Sequence, residues 1–262
     1  MFDTHTHLFD KKLLPEIKDI LEKLKNYKFK GLVCICETQQ EVDLFLKYYK
    51  SYDFLYSSLG VHPHNSKNFN KQTFIDMYEQ LYSTGRLVAI GETGLDFYYN
   101  FSSKNEQINC LLTQIDFAKE KNLPLIIHCR NSDEEIYNIL KEKNVSNGVL
   151  HCYSSDYDFA KKILDLGLYL GFTGIITFKK DNKISETIKY VPVEKILIET
   201  DAPYLSPEPF RGKINTPLNL YYILNKVSEL KKINIKIIEN ILDKNATELF
   251  LKYNCQTNEK DK

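Results

Sequence analysis

Short apolar runs rich in β-branched residues alternate with longer amphipathic segments along the chain. The longer segments, for example 13–24 and 105–121, carry apolar residues at helical spacing and predict helices. The apolar runs predict strands because they are six to eight residues long and are separated by these segments. Eight such runs occur, at 2–7, 31–37, 56–63, 87–94, 124–129, 148–153, 169–174 and 195–200.

This alternation predicts the fold class. Strands that alternate with helices are typical of a parallel sheet, and strands that are apolar on both faces are buried on both faces. Eight repeats fit an α/β domain of the (β/α)8 type, a TIM barrel. Since the sequence contains no Gly/Ser linker, repeat or low-complexity block, we expect one domain over residues 1–253, followed by a polar, disordered tail over 254–262.

Composition and charge narrow the class of protein. The 43% hydrophobic and 27% charged residues are close to the globular average. Thirty-five basic residues balance thirty-five acidic ones, which argues against a broad electrostatic contact with nucleic acid or a membrane surface.

No apolar run approaches the ~20 residues of a membrane span, and no signal-peptide pattern is found. We therefore expect a cytoplasmic protein, in which the six cysteines, with no C-x-x-C pair, are structural thiols.

All six histidines fall near the ends of predicted strands. In a barrel of this type the active site lies at the carboxyl ends of the strands. His5 and His7 can face one ion, because alternate residues on a strand point to the same side, a direction that Asp3 shares. The polar residues at the strand ends are His5, His7, His62, His64, Glu92, Asp96, His128, Arg130, His151, Glu199 and Asp201.

The number of these side chains suggests a two-metal site. Four imidazoles and two carboxylates are about what two ions need when they share one carboxylate and a bridging water. Glu92 is the natural bridge. The pair in GVHPH is less certain, because a loop beginning at Pro63 can turn it toward a substrate. We interpret His62 as a substrate-side donor ahead of a metal ligand, and His64 stays without a role, since a solvated loop residue is equally compatible.

Eight motifs lie in order along the chain, most of them at these strand ends: DTHTHL (3–8), GVHPH (60–64), GETGLDFYY (91–99), HCR (128–130), HCYS (151–154), GFTGIITFK (171–179), ETDAPYLSP (199–207) and RGKINTP (211–217). In content and order they resemble the motifs of the TatD-type metal-dependent deoxyribonucleases of the amidohydrolase superfamily. One departure is Thr93, where the family more often has an aliphatic residue, at a position that should point away from the metals.

The resemblance implies a barrel with C-terminal helices, two divalent ions and an activity. The activity is hydrolysis of phosphodiester bonds in DNA, as a 3′–5′ exonuclease on single-stranded ends. One ion would be held by residues like His5, His7, Glu92 and Asp201, and the second by residues like Glu92, His128 and His151.

The identity of the metal is left open among Mg, Mn, Zn, Fe and Ni. Magnesium is usual in the family, but imidazole-rich sites prefer zinc, manganese or iron. We therefore hypothesise that the tighter site holds a transition metal.

The expected mechanism uses a water whose pKa two ions lower from about 15.7 toward neutrality. The resemblance implies that Asp201 both holds an ion and takes the proton of this water, with a pure ligand role as the alternative. Arg130 and His62 are candidates for stabilising charge on the phosphoryl oxygens, in concert with Glu92 and Asp201 as catalytic groups. An ion pair of Arg130 with Glu92 or Asp96 is the alternative.

Two further groups of residues are candidates for substrate contacts. The loop after the eighth strand supplies clamps for the substrate backbone if the resemblance holds, and is a solvated basic loop otherwise: Arg211, Lys213 and Asn215. Three aromatic residues after the fourth strand are equally compatible with stacking on unpaired bases and with packing of the protein itself: Tyr98, Tyr99 and Phe101.

Other functions stay open at this point. The same barrel can cleave a small amide, lactone or phosphate ester, because fold and metals do not fix the substrate. A non-catalytic metal-binding protein is less favoured, because every expected ligand and Asp201 are present together. The expected partner is a DNA or nucleotide substrate bound at the strand ends, with no membrane and no obligate protein partner.

Overall fold

In the computed structural model, which describes residues 1–178 and 182–252, eight strands alternate with nine α-helices. The strands are β1 (Phe2–Thr6), β2 (Gly31–Cys36), β3 (Leu55–Leu59), β4 (Leu87–Asp96), β5 (Leu125–Arg130), β6 (Gly148–Leu150), β7 (Tyr169–Phe172) and β8 (Ile196–Ile198). The helices are α1 (Ile17–Asn26), α2 (Gln39–Tyr48), α3 (Lys71–Tyr82), α4 (Lys104–Lys121), α5 (Asp133–Glu142), α6 (Tyr157–Asp165), α7 (Asn182–Tyr190), α8 (Leu220–Lys231) and α9 (Ile235–Phe250). The tail predicted over 254–262 lies outside the described residues.

The strands form one parallel sheet in chain order, β1 to β8. Its two edges meet, because the His7 amide donates to the Ala202 carbonyl (2.8 Å) and the Asp201 amide to the His5 carbonyl (3.0 Å). The sheet is therefore a nearly closed barrel with helices outside, which confirms the predicted TIM barrel and its eight strands. Among the described residues, no helix is both long and apolar enough to cross a membrane.

Apolar side chains fill the barrel interior at the amino-terminal ends of the strands. Residues of six strands, from Phe2 on β1 to Leu197 on β8, form one buried cluster with the last turns of α9. Strands on opposite sides of a barrel touch only through its interior, so this cluster lies inside. The Phe250 ring stacks on the Phe2 ring with centroids 6.4 Å apart. The polar side chains of the predicted site lie at the other end of the barrel, at the carboxyl ends of the strands.

Helix caps set the length of the loops at that end. Thr38 and Glu41 form a capping box at the start of α2, and Ser103 and Glu106 form one at the start of α4. Each box satisfies amide groups that a helix N-terminus would otherwise leave unpaired. The two capping boxes thereby fix the positions at which the loops after β2 and β4 end.

Several predicted strands end earlier in the structure than in the sequence pattern. β3 ends at Leu59, and the two histidines of GVHPH lie beyond it, at a 3₁₀-helix (Pro63–Asn68). β6 ends one residue before His151. The register between β4 and β5 shifts between Ile90 and Thr93, a bulge of the kind that re-aims a side chain. Glu92 lies in this bulge.

Candidate metal centre

The carboxyl ends of the strands surround a cavity of about 1060 Å³. Its walls come from nearly every strand end, as expected for this barrel type. The predicted site residues that line it are His7, His62, His64, Glu92, His128, Arg130, His151 and Asp201.

The first group of possible ligands lies where β1 meets the segment after β8. His5 and His7 point the same way from β1, with their Nε2 atoms 3.3 Å apart. Asp201 Oδ1 lies 3.6 Å from His5 Nε2 and 3.5 Å from His7 Nε2. Ligand atoms that share one ion at about 2.1 Å are roughly 3–4 Å apart. These three side chains can therefore hold one ion.

Glu92 joins this group to a second one. Its Oε2 atom lies 3.3 Å from His5 Nε2 and 3.6 Å from His7 Nε2. Its Oε1 atom lies 2.6 Å from His128 Nδ1 and 2.9 Å from His151 Nε2. One carboxylate oxygen faces each pair of imidazoles, which is the arrangement that a carboxylate shared by two ions requires.

Unpaired nitrogen atoms test whether these residues fit metal ions. His151 Nε2 is buried and forms no hydrogen bond, although Glu92 Oε1 is only 2.9 Å away. On His5 and His128 the unpaired nitrogens are Nδ1 and Nε2, which are not the ring atoms that face Glu92. Leaving a buried polar atom unpaired costs about 1–3 kcal/mol. Since imidazole and carboxylate are good ligands for divalent ions, the donor set fits them.

Burial and mutual charge shift the pKa values of these groups. Burial alone would raise the pKa of Glu92, but the surrounding imidazoles, led by His151, hold it well below its usual range. Burial opposes protonation of His7 too, yet its contacts with Asp201 raise its pKa to about 9. A bound cation would oppose this protonation. Glu92 is therefore an ionised carboxylate in the centre of the site.

Further carboxylates hold the imidazoles in place. Glu199 Oε1 lies 3.3 Å from His151 Nδ1, and Glu199 also accepts hydrogen bonds from Thr4 Oγ1 and the Cys152 amide. Asp96 Oδ2 lies 2.8 Å from His64 Nε2 and 3.4 Å from His128 Nε2. Carboxylates placed behind metal-binding histidines fix the ring orientation. His64 is thus linked to the site through Asp96.

Asp3, which shares the direction of His5 and His7 on β1, lies against the segment after β8. It is buried, and it accepts hydrogen bonds from Thr200 Oγ1 (2.6 Å), from the Thr200 amide (2.9 Å) and from the His5 amide. Burial raises the pKa of Asp3 to about 8. Its carboxylate therefore joins β1 to the segment after β8, and it is absent from the groups of possible metal ligands found among the described residues.

Comparison with known proteins identifies the family. The family model described as TatD-related DNase matches residues 2–251. This chain belongs to that family. An uncharacterised metal-dependent hydrolase of Bacillus subtilis, YabD, is 34% identical over 252 residues, covering 95% of this chain and 98% of the relative. A Salmonella typhimurium protein named 3′–5′ ssDNA/RNA exonuclease TatD is 30% identical over 257 residues, covering 95% and 98%.

A solved structure agrees with the assignment. YjjV, a TatD homologue of Escherichia coli, superposes with a TM-score of 0.86 at 26% identity and covers 95% of this chain and 97% of its own. The chain is therefore a metal-dependent hydrolase of the TatD family.

In this TatD-family hydrolase, His62 presents a hydrogen-bond donor to the cavity. Its Nδ1 accepts from the His64 amide (3.2 Å), and burial lowers the pKa of His62 to about 3. In a neutral imidazole whose Nδ1 accepts, Nε2 carries the proton. Since Nε2 lies 3.5 Å from Glu92 Oε1, this geometry favours the donor role, although His62, Glu92 and His128 also lie close enough to hold an ion.

The rim of the cavity is aromatic and carries one guanidinium. Tyr98, Tyr99 and Phe101 are 55%, 39% and 56% exposed, so they are not core residues. The Arg130 guanidinium lies 4.1 Å from the Tyr98 ring centroid and 4.8 Å from that of Tyr99. Within the ranges described, Arg130 forms no ion pair with Glu92 or Asp96. Its charge is therefore free to meet a ligand.

The loop after β8 does not bring its three predicted residues into the cavity. Arg211 lies over the Phe178 ring and Lys213 over the Phe210 ring. Asn215 is fully buried, and its amide donates to the carbonyls of Thr200 (2.8 Å) and Tyr204 (2.7 Å). The geometry therefore gives Asn215 a role in fixing the loop and leaves it no group to offer a substrate.

Replacing Asn215 with alanine is expected to destabilise the protein. The buried carbonyl of Thr200 and the partly buried carbonyl of Tyr204 would lose their donor, at a cost of about 2–4 kcal/mol in the free energy of unfolding. Thermal unfolding should show a midpoint lower by roughly 5–15 °C. Lys213→Ala, on the same loop but exposed, is the control and should change the midpoint little. An unchanged midpoint with a raised KM would instead support the role as a substrate clamp.

Sequence reasoning passed over one residue of the site. Glu37 ends the second predicted run and directly follows β2, and its carboxylate lines the cavity. A ligand atom of Glu37 lies within 4.8 Å of ligand atoms of His7 and Glu92. The sequence pattern that could have identified Glu37 was present, because Glu37, like Glu92, is a carboxylate at the end of a predicted strand.

Proposed function

We propose that this TatD-family hydrolase cleaves phosphodiester bonds of DNA as a 3′–5′ exonuclease on single-stranded ends. The observation that carries the proposal is Glu92, whose two oxygens face two separate pairs of imidazoles. The name of the Salmonella relative, an exonuclease on single-stranded DNA and RNA, supports the same activity.

The proposed ligand set has two halves that share Glu92. His5, His7, Glu92 and Asp201 hold one ion, and Glu92, His128 and His151 hold the second. Divalent ions, when bound, lower the pKa of water and neutralise charge on phosphoryl oxygens.

Three side chains then act on the reacting groups. Asp201 Oδ1, between His5 and His7, accepts the proton of the attacking water. His62 Nε2–H donates to a phosphoryl oxygen, and the Arg130 guanidinium opposes the negative charge that develops there.

Charge on the cavity wall suggests the direction in which a bound strand leaves. Lys67 and Arg130 line one part of the wall, together with Tyr99 and Phe101. Cations next to exposed aromatic rings are the combination with which proteins bind single strands, because phosphates meet the cations and bases stack on the rings. A nucleotide chain would therefore run over this aromatic rim.

A second candidate function has support from another part of the cavity lining. Three carboxylates line it, those of Asp10, Glu37 and Glu41. A wall of this charge repels a polyanion, and a small amide, lactone or phosphate ester would not meet this repulsion. The two functions are distinguished by which class of substrate the protein hydrolyses.

The deciding experiment uses the metal-loaded protein and single-stranded DNA with a free or a blocked 3′ end. We expect mononucleotide release from the free end alone. His128→Ala, which removes a proposed metal ligand, is the control. Release no greater than that of the control, together with hydrolysis of small esters, would contradict the nuclease proposal and favour the second candidate.

Replacing Tyr99 with alanine tests the aromatic rim. Base stacking contributes about 1–3 kcal/mol per base, so we expect KM for single-stranded DNA to rise by on the order of tenfold. Hydrolysis of a small chromogenic phosphodiester should be unchanged, because it has no second base. Tyr221→Ala, at an exposed tyrosine outside the cavity lining, is the matched control. Equal effects on both substrates would argue against stacking.

A further inference from the structure

A backbone hydrogen bond of Glu37 holds this residue beside the ion position formed by His5, His7, Glu92 and Asp201. Glu37 is the first residue after β2, and its amide donates to Glu41 Oε2 (2.8 Å), a carboxylate that also caps α2. This contact directs the Glu37 side chain away from the helix and into the cavity, where its carboxylate approaches His7 and Glu92.

The Glu37 carboxylate has no partner of its own in residues 1–178 and 182–252, whereas its neighbours on the same wall have one. Asp10 accepts from the Tyr204 hydroxyl and the Lys12 amide. Glu41 accepts from the Thr38 amide.

An unpartnered carboxylate in this position calls for a cation. The Glu37 carboxylate is partly buried, and its ligand atom lies within 4.8 Å of ligand atoms of His7 and Glu92. A partly buried acid without a cation is costly to ionise, and protein structures usually supply one.

We propose that Glu37 is a further carboxylate ligand of the ion held by His5, His7, Glu92 and Asp201. The inference rests on the proposed ligand set and is independent of the DNA substrate. With Glu37, this ion has three carboxylates and two imidazoles, whereas the second ion has Glu92 and two imidazoles.

The two positions then differ in the metal they prefer. Oxygen ligands suit magnesium and manganese, and imidazoles suit zinc. The position beside Glu37 is therefore the manganese or magnesium site, and the position at His128 and His151 is the zinc-like site.

The test is a calorimetric titration of metal-free protein with manganese chloride, with zinc content measured in parallel by elemental analysis. Glu37→Gln keeps the shape of the side chain and removes its charge. We expect manganese affinity at one site to fall at least tenfold, since even indirect partners of a ligand contribute about 10–100-fold. Zinc bound at the second site should be unchanged.

Glu41→Gln is the matched control, because it removes one charge from the same wall and glutamine still completes a capping box. Manganese affinity of Glu41→Gln should stay near that of the unsubstituted protein. Equal manganese affinities in Glu37→Gln and the unsubstituted protein, or equal losses in both variants, would overturn the inference. An unsubstituted protein that binds neither ion tightly would instead refute the whole ligand set, whereas failure on DNA alone would leave the inference standing.

Discussion

Replacing Glu92 with glutamine is expected to lower kcat by on the order of 10³-fold or more, on single-stranded DNA and on a small phosphodiester alike. Loss of one electrostatic contact to a transition state costs about 10²–10³-fold, and Glu92 contacts both halves of the site. Its Oε2 faces His5 and His7, and its Oε1 faces His128 and His151. The amide of glutamine offers one acceptor and cannot serve both sides.

Steady-state kinetics together with metal content is the measurement for Glu92→Gln. Metal content should fall with activity, because the shared ligand is lost. Glu41→Gln, which lines the same cavity, serves as the control and should keep both its kcat and its metals. If Glu92→Gln kept two ions and near-normal kcat, the bridging role would be wrong and the two-metal proposal with it.

Removing the metals with a chelator is expected to abolish hydrolysis and to lower thermal stability. A ligand present at 100 times its Kd stabilises the folded state by about 2.7 kcal/mol. In a domain of this size each kcal/mol shifts the unfolding midpoint by about 2–4 °C, so the midpoint should fall by roughly 5–10 °C. The unpaired, buried His151 Nε2, which faces Glu92 Oε1, gives the physical reason, since it loses the only partner proposed for it.

Activity and midpoint should both return when a divalent ion is added back. His151→Ala with and without chelator is the control, because a variant that lacks a proposed ligand should show a smaller difference between the two states. Elemental analysis of protein purified without added metal completes the test. Absence of zinc, manganese, iron and nickel would remove the hypothesis of a tightly bound transition metal, and a midpoint insensitive to chelator would contradict the ligand set.

The barrel could be predicted from the sequence because most of its eight strands carry a continuous apolar stretch. A strand that is buried on both faces is apolar on both faces. Because this holds for each strand separately, the residues of one segment are enough to predict it as a strand. The runs 31–37 and 87–94, for example, correspond to β2 and β4. The strand ends were less well predicted. β3 stops at Leu59 and β6 at Leu150, where pairing with the neighbouring strand ends.

Much of the candidate site also followed from the sequence. His5 and His7 face the same side because strand geometry alternates, which requires no knowledge of the rest of the chain. The bridging position of Glu92 was predicted from counting ligands and stays a prediction; its two oxygens lie 3.3 Å from His5 Nε2 and 2.9 Å from His151 Nε2.

Long-range contacts decided the remaining roles. Asn215 looked like a substrate contact in sequence, and only the tertiary structure buries it against the carbonyls of Thr200 and Tyr204. His64, without a role in the sequence, is linked to Asp96, thirty-two positions further along the chain.

Sequence by itself therefore determined the eight-stranded barrel and the family, because hydrophobic period and strand-end motifs are local properties. Tertiary structure alone decided which side chains at those strand ends meet. Loops such as the one after β2 turn a residue toward or away from the cavity according to contacts far along the chain. Glu37 is the example, since its place beside His7 depends on the meeting of two strand ends, which no spacing in the sequence reveals.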